Sequence, residues 1–523
     1  MFLNNRVRPR PSAVLSTATV IALIGAVPAL ADGDDGEASY YSTKQAYEPQ
    51  GDSYSSAPSG FSPIHTQSVD RHGSRGLSGF KYDDLAQQML EEAQEQDALT
   101  DLGEDLIPQV EAMITANEDL EGGFDQEAGY GNLTNVGREE LQGIGERNLA
   151  RNADLMESVE DEDLKIAFTS SGEDRATDSA WNFGSGFLDK NSGLQDNVDY
   201  DEDAGHVTVE PRTDLLYAHK DEDSPGYERY QEWADGDTLE EKVDAAYDEP
   251  DSRTASRDLL EHIFTPEFVD KIDDGDLSFT ARGEDEDESV EGIVDAALQF
   301  YNLYIIAPAM AEEPATPSEG WIFDQYMDEE NGPVLEYLLD VEDYYEKGPA
   351  IEGETVSYDN YEPLLDEMLD SVGRRADGGD VAADYRFAHA EALIPLAALL
   401  KTPGSEQGVP EDEVMDYENS DWRGSDVSPM GGNIQWDSFE NESGRVIVRM
   451  LYNEKEIPFN EGCVPIADDS LFYTLDELKE CLPLGSSSDH SEARLPDASD
   501  TAGSTGSTGT VGSVGSVGSV SLR

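Results

Sequence analysis

The sequence predicts an α/β fold, in which a mostly parallel sheet carries helices on both faces and an α-helical cap is inserted. Three observations predict it. Short apolar, β-prone runs lead directly into helical patterns at two places far apart in the chain, Ile166 to Thr169 and Phe387 to His389. The stretch between them changes, over about residues 191–379, to amphipathic helices alone. Histidine, arginine and glutamate gather at the strand-to-helix junctions, where open α/β sheets bind ligands.

The elements follow in chain order. Arg6, Arg8 and Arg10 precede an apolar run from about Ala13 to Leu30 and the small-residue site Ala29-Leu30-Ala31, so residues 1–31 are expected to be a secretory signal peptide cleaved after Ala31. Pro28 and the acidic Asp32-Gly33-Asp34-Asp35 argue against a retained anchor and against stable membrane insertion after cleavage. Residues 32–60 are polar and without period, which predicts a disordered leader. The core is expected over 61–190 and 380–485, with strands at Ile64–Val69, Lys165–Thr169, Tyr385–Ala388 and Val446–Tyr452. The cap, 191–379, carries helical patterns at Leu259–Ile263, Val290–Tyr304, Tyr326–Tyr345 and Tyr361–Val372. Residues 486–523, a tail of Gly, Ser, Thr and Val, read as flexible spacer and a candidate tether to the cell surface.

The chemistry is concentrated in Arg71-His72-Gly73-Ser74-Arg75, just after the first strand. A neutral imidazole can attack phosphorus, and guanidiniums grip phosphate oxygens with forked hydrogen bonds that an ammonium cannot reproduce. Gly73 lets the backbone turn tightly beside the anion. Thr169-Ser170-Ser171 leads to Arg175 and Asp178-Ser179-Ala180, and a helix from Asp174 to Leu188 with apolar Ala176, Ala180, Phe183 and Phe187 would hold Arg175 in its first turn, where the backbone dipole favours an anion. Arg386-Phe387-Ala388-His389-Ala390-Glu391 places His389 and Glu391 at another such junction, ahead of a helix-like run to Leu400. A fourth segment, Gly131-Asn132-Leu133-Thr134-Asn135-Val136-Gly137-Arg138-Glu139-Glu140-Leu141, also leads into a helix.

Over roughly residues 61–485 these four segments, taken in chain order, resemble the histidine phosphatase superfamily, in the branch of the multiple inositol polyphosphate phosphatases. The His-Ala-Glu motif at 389–391 is what separates that branch from acid phosphatases with His-Asp there. The resemblance implies a phosphoglycerate mutase-like fold and a two-step displacement without metal or cofactor. His72 would be the nucleophile and Glu391 the proton donor, with Arg71, Arg75, Arg175 and His389 holding phosphate oxygens. Glu391 must start protonated, which suits an acidic working pH or a raised pKa. The substrate expected is a small phosphate ester, foremost an inositol polyphosphate; alternatives are a broad acid phosphatase and a non-catalytic acidic surface or binding protein. Lys81 is a candidate for a second phosphate. Where many relatives follow the second arginine with an aromatic or apolar residue and proline, this chain has Gly76-Leu77-Ser78, which predicts a more mobile loop.

Charge sets the remaining bounds. The formal net charge is −82, and loss of the signal peptide, which holds three arginines and no acidic residue, takes it from −82 to −85. That excludes nucleic acid as a sequence-independent partner, because such binding needs a basic footprint, and it leaves oligomeric state open. An anionic substrate would be repelled at long range, so activity is expected to rise with moderate salt as screening shortens the field; a monotonic fall from low salt, measured as phosphate release, would contradict this. No calcium loop is expected at Asp270–Gly275, since Ile272 and Ala281 stand where oxygen ligands are required. Cys463 and Cys481 are the only cysteines, and export favours a disulfide between them in a secreted protein.

Overall fold

A computed structural model describes residues 39–123, 126–283 and 288–483. The expected signal peptide, the first part of the leader and the tail from 486 lie outside the described residues, as do acidic residues 284–287. The fold is that of the unit that begins at Tyr40.

The central strands are β1 (Phe61–Arg71), β2 (Lys165–Ser170), β3 (Glu210–Pro211), β4 (Val381–Ala388), β5 (Asn433–Asn441), β6 (Val446–Tyr452), β7 (Lys455–Ile457) and β8 (Tyr473–Thr474). Their spatial order is β7-β6-β5-β1-β4-β2-β3, with β8 on β6. The half formed by β1, β4, β2 and β3 is parallel, while β5, β6 and β7 extend the sheet antiparallel beyond β1. The parallel half puts its carboxyl ends in line: Arg71 is opposite Ala388, and Ser170 is opposite Phe387.

β4 shows why these residues form a central strand. Its side chains alternate with period two, as a pleated strand requires. Ala383, Tyr385 and Phe387 share one apolar cluster with Phe168, Phe183 and Phe187, the Phe183 and Tyr385 rings lying 4.7 Å apart. Arg386, on the opposite face, donates to Ser371 Oγ at 2.9 Å and pairs with Asp384 at 2.6 Å. The helices that matter below are α1 (Asn135–Arg151), α2 (Asp174–Lys190), α3 (Gly332–Lys347), α4 (Glu362–Ala376) and α5 (Ala390–Leu400). α1 and α2 pack on each other, with α2 against β2 and β4, whereas α4 and α5 pack against β1 and β4. The expected α/β architecture with a helical cap is present.

The structure corrects two boundaries. Helices Lys81–Glu95 and Asp101–Glu118, expected in the core, pack on Ile293–Ile306 and Pro250–Ile263 of the cap, and α4, expected in the cap, packs on the sheet. Amphipathic period reveals which face of a helix is buried but not what it is buried against. Among the described residues, the leader expected to be disordered over 32–60 is instead structured: Ser42–Lys44 forms a 3-10 turn whose Ser42 and Thr43 are fully buried. Its composition holds little apolar bulk, so its burial rests on hydrogen bonds to distant side chains, which leave no local period.

Cys463 and Cys481 are joined, 18 residues apart, between the β7 side and the last helix, Leu475–Cys481. Closing a loop of this length restricts the unfolded chain by about 3 kcal/mol. Replacing both cysteines with serine is therefore expected to lower unfolding stability by about that amount, checked by denaturant titration; an unchanged midpoint would contradict it. No helix among the described residues is long and apolar enough to cross a membrane.

Candidate active site

His72 sits at the carboxyl end of β1, its N–H donating to Ala388 O at 3.0 Å and its carbonyl accepting from Gly431 N at 2.9 Å. Because β1 and β4 are parallel and in register at Arg71 and Ala388, the next residues, His72 and His389, face each other with ring centroids 5.4 Å apart. Both are buried, 3% and 1% exposed. His72 Nδ1 lies 2.9 Å from Gly73 O. A carbonyl can only accept, so Nδ1 carries the proton and Nε2 keeps its lone pair. Burial first, then Arg175, Arg71, His389 and Arg75, hold the His72 pKa well below the usual histidine range, which favours the neutral ring a nucleophile needs.

The 131–141 segment clamps this turn. Thr134 caps α1, accepting from Gly137 N at 3.1 Å, and both its N–H and its hydroxyl donate to Ser74 O, at 3.0 and 3.2 Å. Gly137 must be glycine, since a Cβ there would stand 2.0 Å from Ser74 O; at Gly73 it would meet Gly137 O at 2.5 Å. Glu140 accepts from Ser74 N at 2.7 Å and Ser74 Oγ at 2.9 Å. The second motif adds a tie through Ser179 Oγ, which accepts from Gly73 N at 3.2 Å and donates to Arg175 O at 2.7 Å. The expected mobility of Gly76-Leu77-Ser78 gives way to pinning: Gly76 N donates to Asn132 O at 3.1 Å and Leu77 N to Asn117 Oδ1 at 2.8 Å. The Asn132 carbonyl and the Asn117 side chain fix the loop from outside it.

Arg71, His72, Arg75, Arg175 and Glu391 line one cleft, together with Lys44, Tyr82, Asn302, Asp343 and Lys347. Arg71 Nη1 donates to the carbonyls of Thr43 and Ser428. The buried Nε atoms of Arg71 and Arg175 have no partner among the described residues. Burial and mutual repulsion pull Arg71 down to about 10 and Arg75 to about 9. Crowded guanidiniums with unmet donors are the signature of a site completed by an anion. His389 is the N-cap residue of α5, with Nε2 2.8 Å from Ser171 Oγ, and Glu391 follows in the helix's first turn. Ser171 reaches His389 because β2 and β4 also run parallel and in register.

The family's sequence profile, the histidine phosphatase superfamily (branch 2), matches residues 64–453. The chain belongs to that superfamily. The Bifidobacterium longum multiple inositol polyphosphate phosphatase, solved in complex with inositol hexasulfate, is 37% identical over 85% of this chain and 97% of that one, with a TM-score of 0.79. The same enzyme in complex with phosphate is 35% identical over 84% and 97%, at 0.78. The phytase from D. castellii, 14% identical over 84% and 83% with a TM-score of 0.56, shares the fold. No curated protein sequence matches the chain.

Against that histidine phosphatase background, two sequence expectations change. Lys81 is not in the cleft; it lines an adjoining pocket and pairs with Glu288 at 2.8 Å. Glu391 does not have a raised pKa. Burial raises it, but Lys347, His219, His389 and the helix N-terminus outweigh burial and hold the carboxyl well below the usual range. Lys347 itself is shared among Asp343 at 2.9 Å, Glu346 at 2.9 Å and Glu391 at 3.8 Å. Sequence reasoning missed Lys44, Lys347, Tyr217 and His219. Tyr217 packs 5.2 Å from the His389 ring, and His219 Nδ1 is 2.8 Å from Tyr361 Oη. None of the four stands in a strand-to-helix junction, which was the signal followed.

Proposed function

We propose that this chain is an exported phosphomonoester hydrolase that works through a phosphohistidine at His72 and acts on inositol polyphosphates. The observation that carries the reading is the neutral, tautomer-pinned His72 in one cleft with three arginines and Glu391. In the first step His72 Nε2 forms a bond to phosphorus as the ester P–O bond breaks. Glu391, protonated, gives its proton to the departing alkoxide. In the second step water attacks phosphorus, Glu391 accepts its proton, and the N–P bond breaks to release inorganic phosphate and neutral His72. Arg71, Arg75, Arg175 and His389 stabilise the equatorial oxygens through both steps. The resting carboxylate of Glu391 takes up its proton as the anionic substrate enters, because a phosphate beside it disfavours a second negative charge. The inositol polyphosphate preference is supported by the relative that binds inositol hexasulfate and by cations in the cleft beyond those one phosphate needs. The disulfide is consistent with export.

The test is phosphate release from phytate and from an aryl phosphate by the purified protein at acidic and neutral pH. Hydrolysis of both with preference for phytate is expected. Hydrolysis of the aryl ester alone would replace the substrate reading with a broad acid phosphatase, and inactivity on both would leave a binding protein.

A further inference from the structure

We propose that Lys44, carried into the cleft by the N-terminal strap Tyr40–Tyr47, binds a substrate phosphate other than the one under attack and so selects multiply phosphorylated substrates. This rests on the phosphomonoesterase reading above.

The strap is built into the site. Tyr40 N donates to Tyr304 Oη at 3.2 Å, and Tyr301 Oη donates to Tyr40 O at 2.9 Å. Ser42 Oγ donates to Asp340 at 2.6 Å, Ser42 N to Glu336 at 3.0 Å, and Thr43 Oγ1 to Asp343 at 3.0 Å, so three carboxylates along α3 hold one turn. Tyr47 N donates to Glu140 of α1 at 2.9 Å. Ser42 has a φ of 47°, a left-handed conformation that persists only where the surroundings over-determine it. Thr43 O at the same time receives Arg71 Nη1. The strap therefore both orients an active-site arginine and presents the next residue, Lys44, to the cleft.

Lys44 is electrostatically incomplete. Its ammonium donates to Thr43 Oγ1 at 3.1 Å, and no carboxylate lies within 4.0 Å of it among the described residues. The nearest acid on α3, Asp343, is already committed through Oδ1 to Lys347 and through Oδ2 to Thr43. The charged groups that act most strongly on Lys44 are Arg71 at the end of β1, Arg75 in the turn after it, and Asp343 and Lys347 on α3, in a cleft also lined by Arg175, Glu342, Glu346 and Glu391; burial and the three cations outweigh Asp343 and pull the ammonium down to about 7. A half-buried cation without a close counter-charge is costly, and an anion from solution removes the cost. The phosphate under attack has three non-bridging oxygens, already served by Arg71, Arg75, Arg175 and His389. Lys44 is left over for a neighbouring phosphate, which an inositol polyphosphate has and an aryl phosphate lacks.

The test compares the wild type with Lys44→Met and Lys44→Arg, using kcat and KM for phytate and for an aryl phosphate, and calorimetric binding of inositol hexasulfate. Losing one charge-assisted contact is expected to raise the phytate KM and weaken hexasulfate binding about tenfold in Lys44→Met. The aryl phosphate constants should stay within about twofold, Lys44→Arg should recover most of the loss, and the weakening of phytate binding above about pH 7 should disappear with the lysine. Equal KM increases for both esters would place Lys44 on the attacked phosphate and overturn the proposal, as would unchanged constants and binding. A wild type inactive on both esters would defeat the phosphomonoesterase reading instead; hexasulfate binding, which needs no turnover, would still decide the case of Lys44. A melting temperature measured for each variant separates loss of a contact from loss of fold.

Discussion

His72→Ala is expected to lower phosphate release from phytate and from an aryl phosphate alike, by on the order of 10⁴-fold or more, because removing a nucleophile deletes the covalent step for every substrate. The two esters differ in leaving group and in charge, but both must pass through the same N–P bond. A rapid base quench of wild-type turnover should trap a phosphoenzyme that the variant lacks and that subsequent acid treatment releases as phosphate. Among the described residues the imidazole hydrogen-bonds only to the adjacent Gly73 carbonyl, so the melting temperature should move little, and the loss can be assigned to chemistry. Retention of activity within about tenfold would mean that another group attacks phosphorus, and the covalent mechanism would be abandoned.

Glu391→Gln is expected to separate the two substrates. An inositol alkoxide is a poor leaving group and needs a proton, whereas an aryl oxide leaves with little help. Loss of a general acid costs about 10²- to 10⁴-fold, and that cost should fall on phytate in the first step and be much smaller for the aryl ester. The second step loses its base for both, so a phosphoenzyme should accumulate during aryl phosphate turnover. Equal losses without accumulation would place the proton donor elsewhere. The pH response has a defined sign. Glu391 is held well below the usual carboxyl range, with Lys347 the largest influence opposing burial. Lys347→Met should therefore raise the Glu391 pKa, keep the carboxyl protonated to higher pH, and move the alkaline limb of kcat/KM for phytate upward. A depressed carboxyl pKa also contributes stability that is present above the unfolded-state value and is lost as pH falls through the folded-state value, so Lys347→Met should weaken the acid-side loss of stability.

Much of the site was legible because its carriers are local. A strand followed by a helix writes a change of period into adjacent residues, and the charged residues at that change, Arg71 and His72, Arg175, His389 and Glu391, stand out by position alone. The turn chemistry was equally local: Gly73 and Gly137 are close approaches of backbone to backbone, and Thr134 is a helix cap. Lys44 was illegible because its segment has no period at all, and its anchors lie about 300 residues away on α3. The ionisation of Glu391 was misjudged for a related reason. A partly buried carboxyl is raised when alone, and Lys347, which reverses the sign, comes from another helix.

The sequence by itself determined the strands and helices that carry the candidate site residues, the family the chain belongs to, and its acidity, since each is written in neighbouring residues or in a sum over them. The tertiary structure alone decided that parallel register sets His72 against His389, that the strap Tyr40–Tyr47 reaches Arg71, and that Lys347 stands beside Glu391 and lowers its pKa. Those facts are distances between segments hundreds of residues apart, and electrostatic coupling depends on distance in space, not on separation along the chain.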